Sequence, residues 1–382
     1  MTVDRPSSEP FEVLIVGGGV AGLEAALALR DLAGDRVNLR LLAPNPDFVY
    51  RPMTVREPFG LAKARRYPLR DITKDLGAEL IDDGLDQVDP SASTVRSASG
   101  AELPYDALIL GLGARIRAPY EHATTIDDSQ LDELLHGLIQ DVEDGYTKRV
   151  AFVVPARMAW PFPVYELAMM TAARAYDANT DVAVTIITPE DAPLAIFGPG
   201  ASEAVSGLLA ERGIEVLTSA HATVPRSGVV EISPGNVGRN FDRVIALPEL
   251  EGPAVPGLPD APDGFIPIDE HCRVRGLERI YAAGDATDFA VKYGGIAAQQ
   301  ADAAARAVAA LAGAPVEPEP FDAEIRGILL TGGQPRYLHA RVTGRGFTSE
   351  VTEQPSWDQP SKIVAKYLAP YLDQRDRAAG AA

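Results

Sequence analysis

The chain has 382 residues, with 54 acids against 35 bases and a formal charge of −19. At about 150 residues per domain this is room for two or three domains with proper cores, and the acidic balance excludes a broad nucleic-acid footprint. A hydrophobic share of 46% with 23% charged residues is an ordinary globular composition, and the single Cys272 excludes a disulfide framework, a thiolate zinc cluster and an intrachain redox dithiol.

Met1 to Pro10 holds acids, prolines and serines, without the basic start and apolar run of a secretory signal, so it reads as a short tail and the cytoplasm is the expected compartment. No stretch has the uninterrupted apolar length of a membrane span; the alanine-rich Ile296 to Ala314 is broken by Gln299, Gln300, Asp302 and Arg306. Phe11 to Val16 predicts a strand, Ala21 to Arg30 a helix and Val37 to Leu42 a second strand. Between the first two lies Gly17-Gly18-Gly19-Val20-Ala21-Gly22, a G-x-G-x-x-G in the strand–turn–helix context that a dinucleotide phosphate requires. Gly17 permits the tight turn, Gly19 lets a pyrophosphate approach the backbone, and Gly22 allows close helix packing.

Ala107 to Leu110 is an apolar strand running into Gly111-Leu112-Gly113. Strands at Val150 to Val154, Val182 to Thr188 and Ile214 to Leu217, with helices at Glu166 to Tyr176 and Ser202 to Glu211, predict a second doubly wound unit. A strand then ends in Ala-Ala-Gly284-Asp285, and Gly294-Gly295-Ile296 opens a long helix. Pro315 to Pro320 is a linker to a last module of about sixty residues.

The order of these motifs resembles the two-dinucleotide-binding-domain flavoproteins of the pyridine nucleotide-disulfide oxidoreductase family, in the branch of sulfide:quinone reductases and type II NADH dehydrogenases. Phe48-Val49-Tyr50-Arg51-Pro52 is similar to the segment that passes the flavin in that branch. The resemblance implies an α/β fold with two Rossmann-like domains: an FAD domain from residues 11–115 and 255–314, an inserted NAD-type domain over 116–254, and a C-terminal module, 315–382, that covers the flavin or forms a homodimer. It implies that Gly17, Gly19, Val20, Ala21 and Gly22 hold the FAD pyrophosphate and that Leu85 offers backbone contacts to the adenine. Leu112, Gly113, Gly284 and Asp285 would receive the ribityl side, and Gly295 and Ile296 the flavin's pyrimidine edge. Arg51 and Pro52 complete the expected cofactor set.

Three departures qualify these implications. The acid that would bind the adenosine ribose falls at Ala43, which leaves Pro44, Asn45 and backbone groups to replace it. Where a second glycine fingerprint would bind NAD(P)H, the chain reads Ala159-Trp160-Pro161-Phe162-Pro163, whose bulk and missing N–H groups oppose a pyrophosphate. Trp160, Phe162 and Tyr337 are instead the candidate substrate contacts. The branch's sulfur-carrying cysteines are absent, and Cys272 reads as a buried strand residue.

Glu166, in Val164-Tyr165-Glu166-Leu167-Ala168, matches the glutamate that lies near the flavin in relatives and is the candidate catalytic group; a first-turn helix carboxylate is the other reading of it. The basic run Lys63 to Arg66 with Arg70 is either a guide for an anion or a solvated face. The five histidines show no metal-ligand spacing, so no metal is expected. Ile363, Tyr367, Leu368 and Tyr371 share one face of a C-terminal element that docks on the protein body or a second subunit, with peripheral membrane contact the weaker reading. The expected function is electron transfer from a small donor through FAD to an acceptor, a quinone among the options. An NAD(P)H reductase with an atypical site around Arg157 and Glu190, or a flavin-binding sensor, are the alternatives.

Overall fold

The computed structural model describes residues 10–61, 63–343, 346–358 and 360–380; the tail expected before Pro10 lies outside them. Two parallel sheets form the centres of two units. The first has the order Ile280–Ala282, Ala107–Leu110, Phe11–Val16, Val37–Leu42, Glu79–Ile81. The central strands carry near-continuous apolar runs, buried from Val13 to Val16 and from Ala107 to Leu110. Val20–Ala33 packs against Gly294–Leu311, and the alanines Ala21, Ala25, Ala28, Ala301 and Ala304 let the two helices lie close.

The second sheet has the order Thr124–Thr125, Arg243–Ala246, Arg149–Val153, Ala183–Ile187, Glu215–Leu217, also all parallel. An antiparallel pair, Arg115–Arg117 with Glu249–Glu251, carries the chain between the units. Three antiparallel strands, Glu324–Leu329, Arg336–Thr343 and Gly346–Thr352, follow the proline linker and bury Leu329, Leu338 and Ala340 in the core of the second unit.

Two sequence expectations need correction. The helix expected from Glu166 begins at Phe162 and runs to Asp177, because Pro161 and Pro163 fall where a first helical turn has no use for its N–H groups. Glu166 is therefore in the second turn, beyond the reach of the helix-end dipole that would explain a first-turn acid. Cys272 is fully buried as expected, but it sits at φ +60° in a turn, not in a strand. Burial pushes its thiol pKa up, so it is not a nucleophile.

The C-terminal helix Leu368–Gly380 and the segment before it dock on the first unit through Ile363, Leu368 and Leu372. Its start is held by the buried Glu24, which accepts hydrogen bonds from the Tyr367 and Leu368 amides at 2.9 and 2.5 Å. Asp302 faces Glu24 from the neighbouring helix, and burial together with that charge pushes its carboxyl up to about 8. Asp376 receives Tyr67 and Arg65, which places part of the basic run against this helix instead of in open solvent. Among the described residues, no helix is long and apolar enough to cross a membrane.

Candidate functional site

The glycine turn and the Asp285 turn converge at the carboxyl ends of the first sheet. Gly17 has φ +111°, and a Cβ there would lie 2.2 Å from the Gly111 carbonyl oxygen; one at Gly22 would lie 1.9 Å from that of Gly17. A Cβ at Gly284, φ +81°, would lie 3.1 Å from the Ala297 Cβ and 3.5 Å from that of Ala21. These three glycines are thus required by the protein's own packing. Gly19 differs: no atom lies within 4 Å of a Cβ built there, at the open N-terminus of a 14-residue helix. Open space beside the first turn of the helix, with helix-end potential, is an arrangement that could hold an anion.

Asp285 supplies the complementary acceptor. Its Oδ1 is buried with no hydrogen-bond partner, which is a costly state for the protein alone. Burial pushes its carboxyl up to about 6; Lys292 and Arg51 oppose the shift and Asp128 adds to it. The cluster of Arg51, Asp128 and Lys292 around Asp285 joins three separate segments, and sequence reasoning identified only Arg51 of the three. Pro44 and Asn45 are exposed just beyond Val37–Leu42, and Leu112 and Gly113 follow Ala107–Leu110. Pro52 lies in the 3-10 segment Arg51–Phe59, while Gly295 and Ile296 are in the first turn of the last long helix. Leu85 starts a strand of a small antiparallel meander, Leu85–Asp89 with Thr94–Ser97 and Glu102–Pro104, against the same core. Ala43, where an acid would be expected, is buried at the strand end.

Glu166 lies at 2% exposure, and its Oε1 accepts the Leu330 amide at 2.8 Å and the Lys362 ammonium at 2.5 Å. Burial pushes Glu166 up and Lys362 down, while their mutual attraction works the other way for both. The segment that brings in Lys362 is fixed by the Ile363 amide, which donates to the Tyr50 hydroxyl at 2.9 Å, and by the Ile363 side chain, against which Gly294 packs. Lys362 has no motif around it that marks it as functional; a lysine set between Ser361 and the apolar Ile363-Val364 was the one available signal.

Trp160 stacks on Tyr293 with ring centres 4.3 Å apart and on Phe162 at 5.2 Å, with Phe197 tilted against Trp160 and Phe162. Its indole therefore fills the junction between the start of the Phe162 helix and the start of the Gly294 helix. Tyr337 is not part of this cluster. It neighbours Leu338, whose side chain enters the core, so strand alternation turns Tyr337 to the other face, where it meets Trp357 edge-on at 5.6 Å. The two residues of the alternative nicotinamide site each have partners of their own. Glu190 is buried under the Tyr165 and Thr188 hydroxyls at 2.6 and 2.9 Å, and Arg157 pairs with Asp263. Among the described residues no group of three or more His, Cys, Asp or Glu is placed to hold a metal.

A family model described as pyridine nucleotide-disulphide oxidoreductase matches residues 11–149 and 165–310. The chain belongs to this family. The stretch left unmatched between the two segments contains the Trp160 loop. A sulfide-quinone reductase of Aquifex aeolicus is 27% identical over 259 residues, 64% of this chain and 59% of the relative, so the chain spans less than two thirds of that protein. An NADH dehydrogenase-like protein of Mycobacterium tuberculosis is 25% identical over 291 residues, 72% of each chain. The solved structure of the Aquifex aeolicus sulfide:quinone oxidoreductase superposes with a TM-score of 0.79 at 20% identity, covering 96% of this chain and 90% of that one. This last likeness establishes the shared α/β architecture of two Rossmann-like units.

Proposed function

We propose that the protein is an FAD-dependent oxidoreductase that takes electrons from a small donor and delivers them to a quinone, with neither a cysteine relay nor an ordinary nicotinamide site. The observation that carries the FAD reading is the meeting of an open glycine cradle at Gly19 with the unpartnered oxygen of Asp285 at the carboxyl ends of the first sheet. Gly17, Gly19 and Gly22 with the Val20 and Ala21 amides would hold the pyrophosphate, and Asp285 would accept from the ribityl hydroxyls. When bound, the flavin supplies hydride or stepwise electron transfer. The N-terminus of the Gly294 helix offers positive potential to charge developing on the pyrimidine edge.

Glu166 and Lys362 form a proton-holding pair sealed from water by Phe162 and the C-terminal segment, suited to exchanging a proton with a reacting group as electrons pass. The quinone assignment draws on the relative named a sulfide-quinone reductase. The sulfide chemistry of that name does not transfer simply, because Cys272 is buried in a turn. The nicotinamide assignment is opposed by the stacked Trp160 and by Pro161 and Pro163, which have no amide hydrogen to give a phosphate.

Anaerobic titration of the flavin absorbance separates these readings. NADH and NADPH should leave the flavin oxidised on the time scale of turnover, and flavin reduced beforehand with dithionite should be reoxidised when a quinone is added. Prompt bleaching by either nicotinamide would overturn the account of the Trp160 loop.

A further inference from the structure

Lys292 lies between Val291 and Tyr293, just before the Gly294 helix, at 7% exposure. Its ammonium donates to the Thr287 carbonyl and stands 4.1 Å from the Phe265 ring centre. No carboxylate of the described residues is within ion-pair distance of it, although Asp285 and Asp288 both bear on its charge. Asp288 is taken up by Arg275 at 3.4 Å.

The Thr287 carbonyl that Lys292 holds belongs to the turn that presents Asp285. The Thr287 hydroxyl donates to the Gly284 carbonyl at 2.9 Å, and the Gly284 amide donates to Gln300 Oε1 at 2.7 Å. Lys292, Thr287 and Gln300 thus brace both ends of Gly284-Asp285-Ala286 from beneath, all of them buried. The Lys292 amide also reaches toward the Ala159 carbonyl, at 3.4 Å, across the junction between the two units. A buried cation with no ion-pair partner, wired to the turn of a buried acid with an unpartnered oxygen, is too expensive to be packing alone.

We propose that Lys292 is a positioning residue for the cofactor: it fixes the Asp285 turn and supplies the positive potential that keeps the Asp285 carboxylate ionised as an acceptor for the hydroxyls of the flavin's side chain. This rests on the FAD reading above. The other charges facing Asp285 are Arg51, from the Arg51–Phe59 segment, and Asp128, ahead of the Leu131–Glu143 helix; they oppose each other in sign, which leaves Lys292 to set the balance. With Asp285 near 6 in the wild type, FAD affinity should fall as the pH drops through about 6, where the carboxylate takes up a proton.

The test is the FAD dissociation constant of wild type, Lys292→Met, Lys292→Arg and Asp285→Asn, measured by flavin fluorescence quenching between pH 5 and 8. Lys292→Met should weaken FAD binding by about tenfold or more at pH 7, the scale of one lost charge-assisted contact. It should also move the acid limb of the profile to higher pH. Lys292→Arg should restore most of the affinity, and in the Asp285→Asn background Lys292→Met should cost much less. Should Lys292→Met fail to fold, Lys292→Gln keeps a donor for the Thr287 carbonyl, lacks the charge, and carries the same expectation. An unchanged dissociation constant and profile in a folded, neutral variant would overturn the role of Lys292 while leaving the FAD site standing. A wild type that binds no FAD would overturn both.

Discussion

Gly19→Val should fold normally and fail to hold FAD, whereas Gly22→Ala should fail to fold well in the first place. The two glycines are three residues apart in one motif, and their surroundings separate the cofactor's demand from the protein's own. A Cβ at Gly22 would sit 1.9 Å from the Gly17 carbonyl oxygen, a contact that only backbone displacement can relieve. We expect a destabilisation of about 4 kcal/mol, the range reserved for overpacking that the core cannot absorb. Gly19 has φ −88°, a conformation open to any residue, and empty space where its side chain would go. Valine there should leave the thermal midpoint nearly unchanged while weakening FAD by about a thousandfold, some 4 kcal/mol of binding. Equal stability loss in both variants would show that Gly19, too, is present for packing, and a yellow Gly19→Val protein would remove the pyrophosphate from this turn.

The second large effect is expected at Glu166 and Lys362. Both side chains are almost fully buried and 2.5 Å apart, so removing one strands the other. Lys362→Met should cost about 3–5 kcal/mol at neutral pH, and the double variant Glu166→Gln with Lys362→Met should recover most of it. The sign of the pH dependence follows from the carboxyl. With its cation gone, Glu166 is raised further above its unfolded value, so its folded form is stabilised where it is protonated and penalised as pH rises through the folded pKa. The defect of Lys362→Met should accordingly be smaller at pH 5 than at pH 8. Chemical denaturation of the wild type, Lys362→Met, Glu166→Gln and the double variant at both pH values measures this. A single-variant loss that is additive in the double and independent of pH would show that the two groups do not act as a pair. Glu166→Gln alone should leave FAD content intact and shift the pH profile of flavin reduction.

The parts of the site that were legible in the sequence are those fixed by local backbone geometry. Gly17, Gly22 and Gly284 announce themselves because a tight turn or a close helix admits no side chain, and the apolar runs before them mark the strands. The Trp160 loop was legible for the same reason, through bulk and missing amide hydrogens. The start of the following helix was misplaced because prolines within the pattern read as a break, although at a first turn they cost nothing. Contacts between distant segments were not legible. Lys362 meets Glu166 across 196 residues, and Glu24 anchors the C-terminal helix across 343. No periodicity encodes such pairs. Tyr337, grouped with Trp160 and Phe162 from the sequence, is placed on another face by the two-residue alternation of its strand, against Trp357.

The most direct test of the central claim is the FAD content of the full-length protein, released by denaturation and quantified against chain concentration after incubation with excess FAD and gel filtration. The account predicts one FAD per chain, lost in Gly19→Val. A folded wild-type protein that retains no FAD would contradict it, because the open cradle at Gly19 and the unpartnered Asp285 would then have no common ligand.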